Sequence, residues 1–101
     1  GITDADMAGI RSSSEPFAQL LAQTLRERLG ATWGLAETGA AGPTGNRYGD
    51  DAGHTCVAVS GPVSKVATLE TENGDRSANM WRFSAEALGL FMLCLQESQK
   101  T

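Results

Sequence analysis

The sequence predicts an α/β protein, in which helices cover a β-sheet as the layers of an α/β/α sandwich. Two segments show helical spacing of apolar residues, and three short apolar runs lie between them, bounded by glycine and proline. The predicted order is helix, strand, strand, strand, helix. The first strand follows a helix directly, as in a β-α-β crossover, but no strand is predicted before that helix. We therefore interpret residues 1–101 as a single partial domain that supplies about the second half of such a sandwich.

The first helix is predicted over residues 14–29. Its apolar residues recur at helical spacing, and they are Phe17, Leu20, Leu21, Leu25 and Leu29. Ser12 and Glu15 have the spacing of a capping box, so we interpret the serines here as capping residues and not as nucleophiles. Gly30 is a typical residue just past the end of a helix.

The three strands are predicted over residues 32–38, 54–61 and 63–70. The second is an almost continuous apolar run, which is typical of a strand buried on both faces. The third alternates less clearly and is expected near an edge of the sheet. Because a short Gly-Pro connection joins the second and third strands, we expect them to pair in antiparallel fashion.

The last helix is predicted over residues 76–97, with Asn73 or Asp75 as its N-cap. One face carries Met80, Phe83, Ala87, Leu90, Phe91 and Cys94. Trp81, Leu88, Met92 and Leu95 extend the apolar surface over more than half of the circumference. A helix of this kind usually packs on two sides.

Composition excludes several functional classes. The net charge is −4 and the isoelectric point is about 4.8, without a basic patch of the kind that nucleic-acid-binding proteins carry. Cys56 and Cys94 lack metal-ligand spacing, and we interpret them as buried thiols in a reducing compartment, although a disulfide between them stays open. No metal, cofactor or membrane partner is expected. The N-terminal residues do not resemble a signal peptide, so the expected location is cytoplasmic.

The most unusual stretch is AETGAAGPTGNRYG at residues 36–49. Glycines at 39 and 42 are expected to permit the turn and the close approach of a ligand to the backbone, and successive amides in such a turn can bind a phosphate or carboxylate. The hydroxyl of Thr38 is expected at the end of the strand, where open α/β sheets bind ligands. The alternative is a tight connection that binds nothing.

Four other polar residues are candidates for a functional role. Arg76 is expected at a helix start, which is unfavourable for the helix dipole and suggests an anionic partner, with a solvated surface arginine as the alternative. His54 heads a strand without a recognisable serine or carboxylate partner, so a structural role is expected. Arg47 and Tyr48 are expected to cover the loop.

Two segments resemble the CinA C-terminal domain family, the nicotinamide-nucleotide amidases. RERLGATWGLAETGAAGPTGNRYGDDAGHTCVAVSGP contains the T-G-x-A-G-P loop, and NGDRSANMWRFSAEALGLF is similar to the family's Gly-Asp-Arg turn and closing helix. The resemblance covers the chain from Ser12 to about Leu95. It implies hydrolysis of nicotinamide mononucleotide to nicotinate mononucleotide and ammonia. The substrate-binding residues that it implies are Thr38, Gly39, Ala40, Ala41, Gly42 and Arg76.

One departure from the family affects catalysis. Family members carry their serine nucleophile in an upstream Ser-x-Thr-Gly-Gly segment, and these 101 residues contain no such segment. We therefore assign no catalytic residue and expect a companion chain carrying the N-terminal half of the fold, in a homo- or hetero-oligomer. The alternative is a non-catalytic binding or structural subunit that has lost the nucleophile.

Overall fold

The computed structural model describes residues 14–42, residue 45 and residues 51–99. Its elements in chain order are α1 (Glu15–Leu29), β1 (Gly34–Ala40), β2 (His54–Ser60), β3 (Lys65–Glu70) and α2 (Arg76–Ser98). The predicted number, type and order of the elements are confirmed. β1 begins and ends two residues later than predicted, so Thr38 lies within the strand and not at its end.

The strands form an antiparallel sheet in the order β1-β2-β3. Ala36 of β1 lies opposite Ala58 of β2, which lies opposite Val66 of β3. The predicted antiparallel pair of the second and third strands is therefore confirmed. β2 is central and buried from residue 54 to residue 59, because helices cover both of its faces.

The helices lie on opposite faces of the sheet. Ala18 and Ala22 of α1 form a core cluster with Cys56 and Ala58 of β2. Because side chains alternate along a strand, Val57 faces the other side, where α2 packs against the sheet. The described parts of α1 and α2 do not contact each other. This arrangement is the predicted α/β/α layering.

The N-cap of α1 is Ser14, so the predicted capping box beginning at Ser12 is wrong. The Ser14 carbonyl accepts a hydrogen bond from the amide of Ala18 at 3.0 Å, and its hydroxyl accepts one from Phe17. A cap at Ser12 would need the amide of Pro16 for the same first bond, and proline has no N–H. Ser12 itself lies outside the described residues.

α2 begins with Asp75 as its N-cap, one of the two predicted candidates. Phe83, Ala87 and Cys94 face the sheet and are buried. The opposite face carries Trp81, Leu88 and Met92, which are 80%, 58% and 59% exposed. Within the described part of the chain, nothing covers this second apolar face. Neither described helix is long and apolar enough to cross a lipid bilayer.

Two glycines make a matched test of the packing of α1 on β1. A β-carbon at Gly34 would overlap the carbonyl oxygen of Ala22, whereas one at Gly89 on α2 would meet no atom within 4 Å. We expect Gly34→Ala to lower the free energy of unfolding by about 1–3 kcal/mol through overpacking. We expect Gly89→Ala to raise it by about 0.5–1 kcal/mol through helix propensity. Chemical denaturation measures both, and equal effects of the two substitutions would contradict this packing.

Candidate functional site

The glycine-rich loop begins where β1 leaves the sheet. Thr38, Gly39 and Ala40 are the last residues of β1, and Ala41 and Gly42 follow it; together they form the 38–42 segment. The Ala40 carbonyl accepts a hydrogen bond from the amide of Gly53 at 2.7 Å, just before β2. The segment therefore stays attached to β2 and runs towards the start of α2.

Asn79 connects this segment to α2. Its side chain is 1% exposed, and its Nδ2 donates to the carbonyls of Ala41 at 2.7 Å and Asn73 at 2.6 Å. Its Oδ1 accepts a hydrogen bond from the hydroxyl of Thr71 at 2.5 Å. One carboxamide thus joins the end of β1, the turn before α2 and the end of β3. Asn79 is not among the site residues predicted from the sequence. Its position one helical turn before Phe83, on the buried face of α2, indicates a buried polar side chain that needs hydrogen-bond partners.

Arg76 lies beside the end of the segment. Its Nη1 donates to the Gly42 carbonyl at 3.5 Å, and the arginine is exposed to solvent. Asp75, which caps α2, is held by the Asn73 side chain, whose Oδ1 accepts from the Asp75 amide at 2.9 Å. The structure therefore places Arg76 at the Gly42 end of the segment, whereas Thr38, Gly39 and Ala40 lie further back within β1.

The direction of the amides in this segment follows from their carbonyls. The carbonyls of Ala40, Ala41 and Gly42 accept hydrogen bonds from Gly53, Asn79 and Arg76. In a planar trans peptide the N–H of the next residue points opposite to the carbonyl. The amides of Ala41 and Gly42 therefore point away from the groups that hold those carbonyls. One amide is thus directed away from Gly53 and the other away from Asn79, and an amide so directed can donate to an anion or to a polarised carbonyl oxygen.

Contacts within the chain itself require glycine at both positions 39 and 42 of the segment. Gly42 has a φ of +113°, and a β-carbon there would lie 2.6 Å from the carbonyl oxygen of Gly74. A β-carbon at Gly39 would overlap the carbonyl oxygen of His54. From the sequence, these glycines are expected to permit the turn and the close approach of a ligand. The structure shows that the close contact of the segment with β2 and with the turn before α2 already requires them.

A second polar cluster lies on the face of the sheet that α1 covers. His54 is buried, and its Nδ1 bonds to a carboxylate oxygen of Glu70. The Sγ of Cys56 lies 3.8 Å from His54 Nε2 and 3.4 Å from the hydroxyl of Thr68. The expectation that His54 has no carboxylate partner is wrong, because the antiparallel register places Glu70 directly opposite it.

The two cysteines are free and buried, as expected. Cys56 packs beneath α1, whereas Cys94 lies on α2 at the opposite face of the sheet, which explains why they form no disulfide. Burial raises the pKa of the Cys94 thiol above its ordinary value. Among the described residues, no group of three potential ligands could hold a metal ion. Arg47 and Tyr48, expected to cover the loop, lie outside the described residues.

A shallow concavity of about 120 Å³ lies between β1 and α2, lined by Glu37, Met80, Phe83, Ser84 and Ala87. Pockets for small molecules usually have volumes of about 300–1,000 Å³. This concavity is too small to enclose a nucleotide. None of its lining residues belongs to the 38–42 segment, so the concavity is separate from the six residues that the resemblance implied.

A family model described as CinA C-terminal domain matches residues 1–95. A CinA-like protein from Anaeromyxobacter dehalogenans (strain 2CP-C) is 36% identical over 96 residues, which cover 95% of this chain and 24% of that protein. A CinA-like protein from Chlorobaculum tepidum is 33% identical over 104 residues, covering 98% of this chain and 25% of that protein. The chain spans about a quarter of the length of these curated relatives.

Solved structures show the same fold. A competence-damaged protein (CinA) superfamily protein from Escherichia coli matches with a TM-score of 0.80 at 24% identity, over 90% of this chain and 53% of that chain. The competence damage-inducible protein A (ComA) from Klebsiella pneumoniae matches with a TM-score of 0.81 at 21% identity, over 99% of this chain and 61% of that chain. The described elements thus correspond to a little over half of each solved chain.

The internal role of Gly42 gives a direct prediction. Gly42→Ala would place a methyl group against the Gly74 carbonyl and force a positive φ on alanine. We expect a loss of at least about 1 kcal/mol in the free energy of unfolding, measured by chemical denaturation without ligand. Gly89→Ala, at an open helical position, is the control. Unchanged stability of Gly42→Ala would mean that the glycine is not needed for the contact with the turn.

Proposed function

Because the chain belongs to the CinA C-terminal domain family, we propose that it is the C-terminal part of a nicotinamide mononucleotide amidohydrolase. The reaction converts the nucleotide to nicotinate mononucleotide and ammonia. One observation carries this proposal: the exposed guanidinium of Arg76 lies at the Gly42 carbonyl, at the end of a segment whose Ala41 and Gly42 amides are directed away from Gly53 and Asn79, respectively. These groups complement a substrate that has both a phosphate and a carboxamide.

Each group has a separate task in this proposal. Arg76 pairs with the phosphate, since charge-assisted hydrogen bonds to phosphate are among the strongest in proteins. The amides of Ala41 and Gly42 donate to the carboxamide oxygen as it gains negative charge, in the manner of an oxyanion hole. A serine oxygen attacks the carboxamide carbon, the C–N bond breaks with release of ammonia, and water then hydrolyses the acyl-enzyme.

The serine comes from the N-terminal half of the family's fold. Two surfaces of this chain suit packing against that half. Within the described sheet β1 pairs only with β2, so its outer edge is open to a further strand. The outer face of α2 exposes Trp81, Leu88 and Met92, and an apolar patch of this kind marks an interaction site. We propose that the N-terminal half, in the same polypeptide or in a companion chain, covers these surfaces and completes the pocket.

A second candidate is a non-catalytic binding or structural subunit. It is favoured by the chemistry of the site, since the backbone amides of the 38–42 segment and the Arg76 guanidinium are groups that bind a ligand. Detection of the serine-bearing half in the purified protein by intact-mass measurement separates the two functions. The two buried thiols fit a reducing, cytoplasmic location for either one.

Arg76 provides the test of substrate binding. In the complete assembly, Arg76→Ala is expected to lower kcat/KM for nicotinamide mononucleotide at least tenfold, about 1.4 kcal/mol. The loss should be much smaller for nicotinamide riboside, which has no phosphate. Arg82→Ala is the matched control, because Arg82 is another exposed arginine of α2, six residues further on. Kinetics equal to wild type with a lower melting temperature would assign Arg76 a structural role.

The open surfaces predict how the chain behaves alone. We expect the isolated chain to self-associate through the outer face of α2, because Trp81 and its apolar neighbours have no cover within the described chain. Leu88→Glu with Met92→Glu should reduce association, measured by sedimentation velocity. Glu86→Gln, on the same helix, is the control. A compact wild-type monomer with cooperative thermal unfolding would contradict this prediction.

A further inference from the structure

The geometry points to Asn79 as a positioning residue: its buried carboxamide sets the direction in which the 38–42 segment presents its amides to the ligand. The inference rests on the proposed function, since it concerns the same candidate site, the 38–42 segment with Arg76. Asn79 does not itself contact the ligand in this inference. It acts through the Ala41 carbonyl, which its Nδ2 holds at 2.7 Å.

The hydrogen-bonding pattern around Asn79 fits a carboxamide and few other side chains. Both hydrogens of Nδ2 are used, one on the Ala41 carbonyl and one on the Asn73 carbonyl, while Oδ1 accepts from Thr71. An aspartate would place a carboxylate oxygen against two carbonyl oxygens. A leucine of similar size would leave both carbonyls without this donor in a buried site, at a cost in free energy.

The bond to Ala41 determines the orientation of one peptide group. With its carbonyl fixed on Asn79, the peptide between Ala41 and Gly42 must direct the Gly42 amide the other way. Without that bond the peptide can rotate, because Gly42 accepts a wide range of backbone angles and no other hydrogen bond to the Ala41 carbonyl is seen among the described residues. The amide would then spend part of its time turned away from the ligand.

The bond to Asn73 connects the same side chain to Arg76. Asn73 lies in the turn before α2, and its side chain accepts from the Asp75 amide directly before Arg76. The Asn79 carboxamide therefore fixes the distance between the amide donors of the segment and the start of the helix that carries the guanidinium. Affinity for a ligand that uses both sets of donors depends on that distance.

The test compares Asn79→Leu with Thr71→Val in the complete assembly. Thr71→Val removes the bond to Oδ1 and the bond that the Thr71 hydroxyl accepts from the Asn73 amide at 3.3 Å, but it leaves both Nδ2 donors in place. For Asn79→Leu we expect at least a tenfold rise in KM for nicotinamide mononucleotide, together with lower backbone order parameters at Ala41 and Gly42, measured by NMR relaxation. Thr71→Val should lower the melting temperature, leave KM within about twofold of wild type and leave these order parameters unchanged.

Two readouts separate failure of this inference from failure of the proposed function. If Asn79→Leu lowers the melting temperature but leaves KM and the order parameters of residues 41 and 42 unchanged, Asn79 is structural only and the inference is overturned. If wild type neither hydrolyses nor binds the nucleotide, the proposed function fails, and unchanged order parameters in Asn79→Leu would still overturn the positioning role. Should Asn79→Leu not fold, Asn79→Ser takes its place, and the same order parameters decide.

Discussion

A carboxamide that is buried to 1% exposure must have its hydrogen-bonding groups satisfied, and Asn79 meets this requirement with two backbone carbonyls and one hydroxyl. These partners come from the end of β1, the end of β3 and the turn before α2. The candidate site exists because this one side chain brings those segments together. As a consequence, Gly42 lies against the Gly74 carbonyl, and its own carbonyl accepts a hydrogen bond from Arg76.

Close packing of small residues supports this arrangement from the other side of the sheet. Ala18 and Ala22 of α1 contact Cys56 and Ala58, and Gly34 permits the start of β1 to lie directly beneath the helix backbone. Since β2 is held between two helices, the strands β1 and β3 that pair with it also have fixed positions. A stable sheet edge near residue 40 is what allows the 38–42 segment to have a defined direction, and loops carry function best on a rigid support of this kind.

The same structure explains why the chain suits only part of a binding site. Its helices each use one face on the sheet, and the outer face of α2 still exposes Trp81, Leu88 and Met92. In the proposed function, the N-terminal half adds cover to α2, a strand beside β1 and the nucleophile. The first two needs share one physical cause, because within the described residues β1 has no neighbour on its outer edge and the outer face of α2 has nothing packed against it.

The sequence alone determined the order of the elements, the burial of β2 and the resemblance that pairs Thr38–Gly42 with Arg76, because apolar periodicity and turn residues act over short distances. The sequence-based prediction placed β1 two residues too early, and it placed the N-cap of α1 at Ser12 instead of Ser14. Ser14 is favoured because a cap at Ser12 would need an N–H on Pro16, which proline lacks. Only the tertiary structure showed Asn79 as the connecting residue, Glu70 as the partner of His54, and an internal reason for Gly39 and Gly42. Each of these depends on strand register or on segments more than ten residues apart, and local pattern contains no information about which distant groups will meet.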